Sequence, residues 1–148
     1  MIRQAVAEDV SEIRDCAMKA YGRYVPLIGQ KPAPMIADFA KQIAAGSVYV
    51  ATDDDGTFRG FIVFYPDNGN ILLENVAVTP HAAGRGIGKS LIFFCEDQAR
   101  QRGFKTVYLY TNEKMIENLA IYPKLGYIEV KRCTEYGFKR VFFEKSLV

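Results

Sequence analysis

Ile71-Leu72-Leu73-Glu74-Asn75-Val76-Ala77-Val78, followed by Thr79-Pro80-His81-Ala82-Ala83-Gly84-Arg85-Gly86-Ile87-Gly88-Lys89-Ser90, is the stretch that decides how this chain is read. Its first half alternates, with Leu72, Val76 and Val78 on one face and Ile71, Leu73 and Ala77 on the other. Apolar residues on both faces predict a strand buried on both sides. Pro80 ends it. Three glycines at alternate positions then permit positive φ and leave backbone N–H groups uncovered. A helix is predicted from about Gly86 to Arg102, with Gly103 closing it. Open N–H groups leading into a helix N-terminus make an anion site, and Arg85 and Lys89 add positive charge. A phosphate or pyrophosphate suits such a site. Glu74 and Asn75 interrupt the apolar run, and a buried carboxylate needs a partner or a purpose. Glu74 is therefore a candidate base, with an ion pair across the sheet as the alternative.

Outward from this stretch, the pattern is one of short strands and amphipathic helices. Residues 2–6 read as a strand, and Asp9 with Glu12 as a capping-box-like pair before a helix carrying Val10, Ile13, Ala17 and Ala20. Residues 22–34, rich in Pro and Gly, read as a loop, with a second helix from about Met35 to Ala45. Strands are predicted at 47–52, 60–65, 71–78, 106–111, 126–132 and 140–147, and a short helix at 114–125. The turns 53–56 and 66–69 suit hairpins. On the helix after the glycines, Ile87, Leu91, Phe94, Cys95, Gln98 and Ala99 fall near one face. The order predicts a mixed α/β or α+β domain spanning 1–148, built on a single sheet.

Composition narrows the chemistry. The chain has 148 residues, 49% of them apolar and 24% charged, the profile of one soluble globular domain. There is one histidine, His81, and there are three isolated cysteines, Cys16, Cys95 and Cys133. A structural zinc site wants about four Cys/His ligands at close spacing, so no metal is expected. A hydrolytic triad would have to use His81. Unpaired cysteines fit a reducing cytoplasm, and the acidic N-terminal segment does not read as an export signal. A net charge of +2 gives no case for nucleic acid, and no apolar run reaches the length of a membrane span.

Residues 83–90 also fit a loosened phosphate-loop pattern, with Ala83 in place of the first glycine and then Gly88-Lys89-Ser90. Nucleotide binding therefore competes. Against it, 58 residues follow Ser90, short for a nucleotide hydrolase core, and strand 106–111 ends in Tyr110-Thr111 rather than in a magnesium-holding Asp. The dinucleotide fingerprint fails because Lys89 stands where its third glycine belongs.

A second motif lies downstream. Asn118 and Tyr122 are one helical turn apart, and Leu125-Gly126-Tyr127 ends the helix and opens a strand. With both motifs in order, the chain resembles the GCN5-related N-acetyltransferase (GNAT) superfamily. Its first motif is matched by Val76-Ala77-Val78 and His81-Ala82-Ala83-Gly84-Arg85-Gly86, and its second by Asn118, Tyr122 and Leu125-Gly126-Tyr127. His81 and Ala83 depart from the residues usual at those places, and the backbone cradle needs neither.

The resemblance implies a mixed, mostly antiparallel sheet of about six or seven strands flanked by about four helices. It implies acetyl transfer from acetyl-CoA to an amine by direct attack in a ternary complex. The cosubstrate would be held by Val76, Ala77 and Val78 as a pairing strand edge. Gly84, Arg85, Gly86, Ile87, Gly88 and Lys89 would form the pyrophosphate cradle, and Asn118, with Asn112 as a weaker candidate, would bind the pantetheine arm. Tyr122 matches the acid that protonates the departing thiolate, and a phenol can do this. A core tyrosine and a CoA-binding module without catalysis are the alternatives. The acceptor would be a small-molecule or peptide amine, with the loop 22–34 on its side, and a homodimer is allowed.

Overall fold

The computed structural model describes residues 1–148. Its strands are β1 (Ile2–Gln4), β2 (Val48–Thr52), β3 (Phe58–Asp67), β4 (Asn70–Val78), β5 (Thr106–Asn112), β6 (Ile128–Glu135) and β7 (Phe138–Ser146). Its α-helices are α1 (Val10–Tyr21), the single turn α2 (Val25–Ile28), α3 (Phe39–Ala44), α4 (Ile87–Gln101) and α5 (Ile116–Lys124). One sheet holds all the strands in the order β1-β2-β3-β4-β5-β7-β6. Every neighbouring pair is antiparallel except β4 with β5. The fold expected from the sequence is therefore the one observed. No helix is long and apolar enough to cross a membrane.

Each face of the sheet carries a core. Ile13, Cys16 and Ala17 of α1 and Phe39 of α3 pack on Val48, Val50, Phe61 and Val63. Leu91, Ile92, Cys95 and Ala99 of α4 pack on Ile62, Phe64, Ile71, Leu73, Val107 and Leu109 of the opposite face. Burying apolar surface on both sides explains why β4 reads as continuously hydrophobic.

Several boundaries differ from expectation. Residues 22–34 are not a plain loop: a 3-10 turn at Gly22–Tyr24 and α2 extend the first helix, and Gly29 at φ 87° ends them. The second helix starts at Phe39, not Met35, because Ala33–Met35 closes a separate 3-10 turn and Asp38 caps α3 through Lys41 N–H. The β3–β4 hairpin tightens to the two-residue turn Asn68-Gly69, both at positive φ. Asp9 does not form the expected cap with Glu12. Its carboxylate accepts from Val6 N–H at 2.8 Å and from Arg3 Nη1 and Nη2 at 2.8 and 2.9 Å.

That last contact predicts a pH effect. The Arg3 hydrogen bonds hold the Asp9 carboxyl below its usual range. The stabilisation is complete above the unfolded value, about pH 4, and disappears as pH falls through the lowered folded value. Asp9→Asn is expected to cost about 1–2 kcal/mol in urea unfolding at pH 7. The gap to the unmodified protein should close in acid.

The largest departure lies inside β4. Val63 faces Asn75, but the next residue, Phe64, faces Leu73. Glu74 is thus the extra residue of a β-bulge, and a one-residue slip reverses which face each side chain takes. Ile71 and Leu73 consequently share the α4 face with Val76, while Ala77 turns to the α1 face. The simple alternation read from the sequence, which put Val76 opposite Leu73, is corrected by this bulge.

Candidate active site

The site grows from a split in the sheet. β4 and β5 pair only through Ile71 with Val107 and Leu72 with Tyr108. Beyond those residues the two strands diverge, and one edge of β4 is left without a partner. Thr79 N–H donates to Arg59 O of β3 at 2.8 Å. Antiparallel alternation then points Ala77 toward β3, and Val76 and Val78 toward the open edge. The Val76 carbonyl agrees, since it lies 2.9 Å from the Tyr21 hydroxyl rather than on β3.

Below this edge the glycine turn enters α4. Gly84 and Gly86 have φ of 80° and 77°, a conformation that L side chains resist. The N–H groups of Gly84, Gly86, Ile87, Gly88 and Lys89 find no backbone acceptor, and the first helical bond is Ser90 N–H to Gly86 O at 3.0 Å. Unpaired N–H groups at a helix start form a cradle open to an anion. Lys89 borders it. Arg85 does not add its charge there as expected: its guanidinium turns away to Asp53 Oδ1 at 3.4 Å, beside the closer Arg59–Asp53 pair. Its N–H is also taken, donating to Ala82 O at 3.4 Å.

Cradle and strand edge line one groove of about 580 Å³, closed on the far side by Asn118, Ile121 and Tyr122 of α5. At its mouth, Tyr24 donates to Glu117 Oε2 at 2.6 Å and ties the turn after α1 to α5. Ala77 borders this groove with its peptide group directed to β3.

A smaller cavity of about 40 Å³ lies behind β4, lined by Pro34, Glu74, Asn75, Tyr110, Asn112 and Arg140 among others. The bulge puts Glu74 there. Its carboxylate accepts from the Tyr65 hydroxyl at 2.8 Å and from the Gln42 amide, so it is oriented by hydrogen bonds and not by an ion pair across the sheet. Asn75 Oδ1 accepts from Tyr21 at 2.8 Å, and its Nδ2 donates to Pro34 O at 2.9 Å, which anchors the segment after α2 over the cavity. Asn112 Oδ1 is engaged by Lys114 N–H at 3.0 Å, which shapes the turn into α5.

Groove and cavity share Tyr21, Val76, Asn118 and Tyr122. Tyr122 is buried, with its ring against Tyr127 and Phe143 at centroid distances of 5.7 and 5.8 Å. Burial pushes its phenol above the ordinary value, so it holds its proton. Asn118 Nδ2 donates to Thr111 Oγ1 at 3.2 Å, which turns the amide along the groove. His81 stays exposed in the turn, and no group of three metal-ligating side chains exists.

The acetyltransferase (GNAT) family profile matches residues 10–127. The chain belongs to the GNAT acetyltransferase family. An N-acetyltransferase of Bacillus subtilis, YhfO, is 30% identical over 89 residues, covering 56% of this chain and 60% of that protein. A mycothiol acetyltransferase of Saccharomonospora viridis is 38% identical over 62 residues, 42% of this chain and 20% of its own length. The chain thus spans less than two thirds of these curated relatives. Among solved structures, the PaiA N-acetyltransferase of Thermoplasma acidophilum, in complex with coenzyme A, superposes with a TM-score of 0.80 at 17% identity, over 99% of this chain and 98% of that one. A GNAT sheet of this antiparallel kind is not the parallel α/β sheet of a phosphate-loop domain, so the Walker-like spacing at 83–90 is set aside.

Val76, Val78, Gly84, Gly86, Gly88, Lys89, Asn118 and Tyr122 line one groove, while Glu74 and Asn112 line the adjoining cavity. Sequence reading missed Arg140 and the pairing of Tyr21 with Asn75. A signal for Arg140 existed in Phe138-Lys139-Arg140-Val141-Phe142-Phe143, where a cation alternates in phase with the aromatic Phe138 and Phe142 on one face of the strand.

Proposed function

We propose that this protein transfers the acetyl group of acetyl-CoA to a primary amine by direct attack in a ternary complex. The observation that carries this reading is the junction of groove and cavity at Val76, Asn118 and Tyr122, which offers a donor arm and an acceptor one common meeting point. The residues fit the cosubstrate: five unpaired N–H groups suit a pyrophosphate, and a free strand edge suits the amides of a pantetheine arm. The same fold in PaiA, solved with coenzyme A, supports the assignment. Acetyl-CoA, when bound, supplies an activated acyl group on a thioester.

The chain's own residues then divide the work. Gly84, Gly86, Ile87, Gly88 and Lys89 hold the phosphates through backbone N–H groups. Val76 and Val78 align the arm, with Asn118 on its other side. An outward N–H of this edge polarises the thioester carbonyl as negative charge develops on its oxygen. Glu74 takes the proton of the ammonium acceptor, directly or through a water. The freed amine forms the C–N bond and the C–S bond breaks. Tyr122 gives its proton to the departing thiolate, and the new amide's nitrogen loses its second proton to restore the phenol or to solvent.

A non-catalytic CoA-binding module would have no use for a phenol hydroxyl at the junction, where Tyr122 makes no hydrogen bond within the protein. The test is thermal unfolding with and without acetyl-CoA, followed by thiol release over an amine panel. At 100 times its Kd, acetyl-CoA should add about 2.7 kcal/mol, a rise of roughly 5–10 °C in Tm. An unchanged Tm at millimolar acetyl-CoA would sink the proposal.

A further inference from the structure

The acceptor cavity holds a charged group that the steps above leave idle. Arg140 lies on β7 with its side chain 9% exposed. An arginine has five N–H donors. Within the protein Arg140 makes a single hydrogen bond, from Nη1 to Glu135 Oε1 at 3.0 Å. Its Nε and Nη2 have no protein partner, and neither is among the polar atoms shut off from solvent. Both belong to the side chain that lines the cavity with Glu74 and Tyr110. These donors open to solvent rather than to a protein acceptor, so a ligand entering the cavity can take them up.

The unused pair has a particular shape. Nε–H and Nη2–H form the side-on edge of the guanidinium, two parallel donors spaced for the two oxygens of a carboxylate. The plane is held by aromatic rings, with the guanidinium carbon 4.3 Å from the Tyr110 centroid and 5.5 Å from that of Phe138. Glu135, itself partly exposed, occupies the other edge and leaves this one clear. The same cavity presents the Glu74 carboxylate. One small space lined by both a carboxylate and an oriented cationic fork is complementary to a zwitterion.

We propose that the acceptor is an amino acid, held by its carboxylate on the Nε/Nη2 edge of Arg140 with its α-amine toward Glu74. The proposal rests on the acetyl-transfer reading and adds the chemical class of the acceptor. The test measures thiol release from acetyl-CoA with the twenty protein amino acids, each beside its own carboxamide.

At least one acid is expected to exceed its amide in kcat/KM by about 100-fold, because a site built for a hydrogen-bonding group rejects the analogue lacking it. Arg140→Gln should bring that ratio close to one by raising KM for the acid with little change in kcat. Arg140→Lys should recover only part of it, since it keeps the charge and loses the fork. If Arg140→Gln does not fold, the acid-to-amide ratio of the unmodified protein decides the matter. Amides used as well as acids, acids not acetylated while neutral amines are, or a ratio that survives Arg140→Gln would overturn the proposal. Failure to bind acetyl-CoA, read separately by the Tm shift, would instead remove the acetyl-transfer reading beneath it.

Discussion

Tyr122→Phe is expected to lower kcat about 100-fold while the Kd for acetyl-CoA stays within about twofold, the size of a lost general acid acting on a good leaving group. The substitution is clean for a structural reason. The hydroxyl bonds to no protein group, so its removal orphans no partner, and the ring contacts with Tyr127 and Phe143 remain. Tm should therefore be unchanged, and kcat and kcat/KM should fall together. The pH profile gives a second readout. Burial raises the Tyr122 pKa, so the acid form persists and kcat should show no alkaline decline below about pH 10. A variant that loses stability, or that keeps its turnover, would assign Tyr122 to packing.

The second large effect is on stability. Glu96 on α4 has a side chain only 3% exposed. Its carboxylate accepts from Lys145 Nζ at 2.9 Å and from the Tyr127 hydroxyl at 2.8 Å. These bonds clamp α4 to β7 and to the Leu125-Gly126-Tyr127 turn that sets the end of α5. Lys145→Met would leave a buried carboxylate without its cation, and breaking such a pair costs about 3 kcal/mol or more. For a domain of this size that is a fall in Tm of roughly 10 °C. Adding Glu96→Gln removes the orphaned charge and should recover most of the loss. Urea unfolding of the single and double variants measures both. If Lys145→Met alone is neutral, the pair is better solvated than its burial implies.

Glu96 also marks a limit of periodicity. Spacing along the helix placed Gln98 on the inner face, whereas α4 buries Glu96 with Leu91, Ile92, Cys95 and Ala99. A carboxylate on an inner face is legible only once its partners are known, and Lys145 lies 49 residues away. Arg85 shows the reverse: its position in the glycine turn was legible, but its side chain pairs with Asp53, 32 residues away in the chain. Glu74 was singled out as an interruption of an apolar strand. That it is a bulge, with Tyr65 and Gln42 orienting it, depends on the register of β3 against β4 and on the packing of α3.

The sequence by itself determined the parts whose chemistry is local. A Gly-rich turn between an apolar strand and a helix leaves N–H groups open whatever surrounds it, and Asn118 and Tyr122 share a face because a helical turn is about four residues. The order of strands and helices followed from hydrophobic period and turn residues for the same reason. Only the tertiary structure decided where these parts meet. The divergence of β4 from β5, the bulge at Glu74 and the approach of β7 bring Val76, Tyr122, Glu74 and Arg140 around one junction. The divergence and the approach of β7 depend on pairing between segments far apart in the chain, the bulge depends on the register of a hairpin, and a side chain's direction in a sheet reverses with a single residue of register.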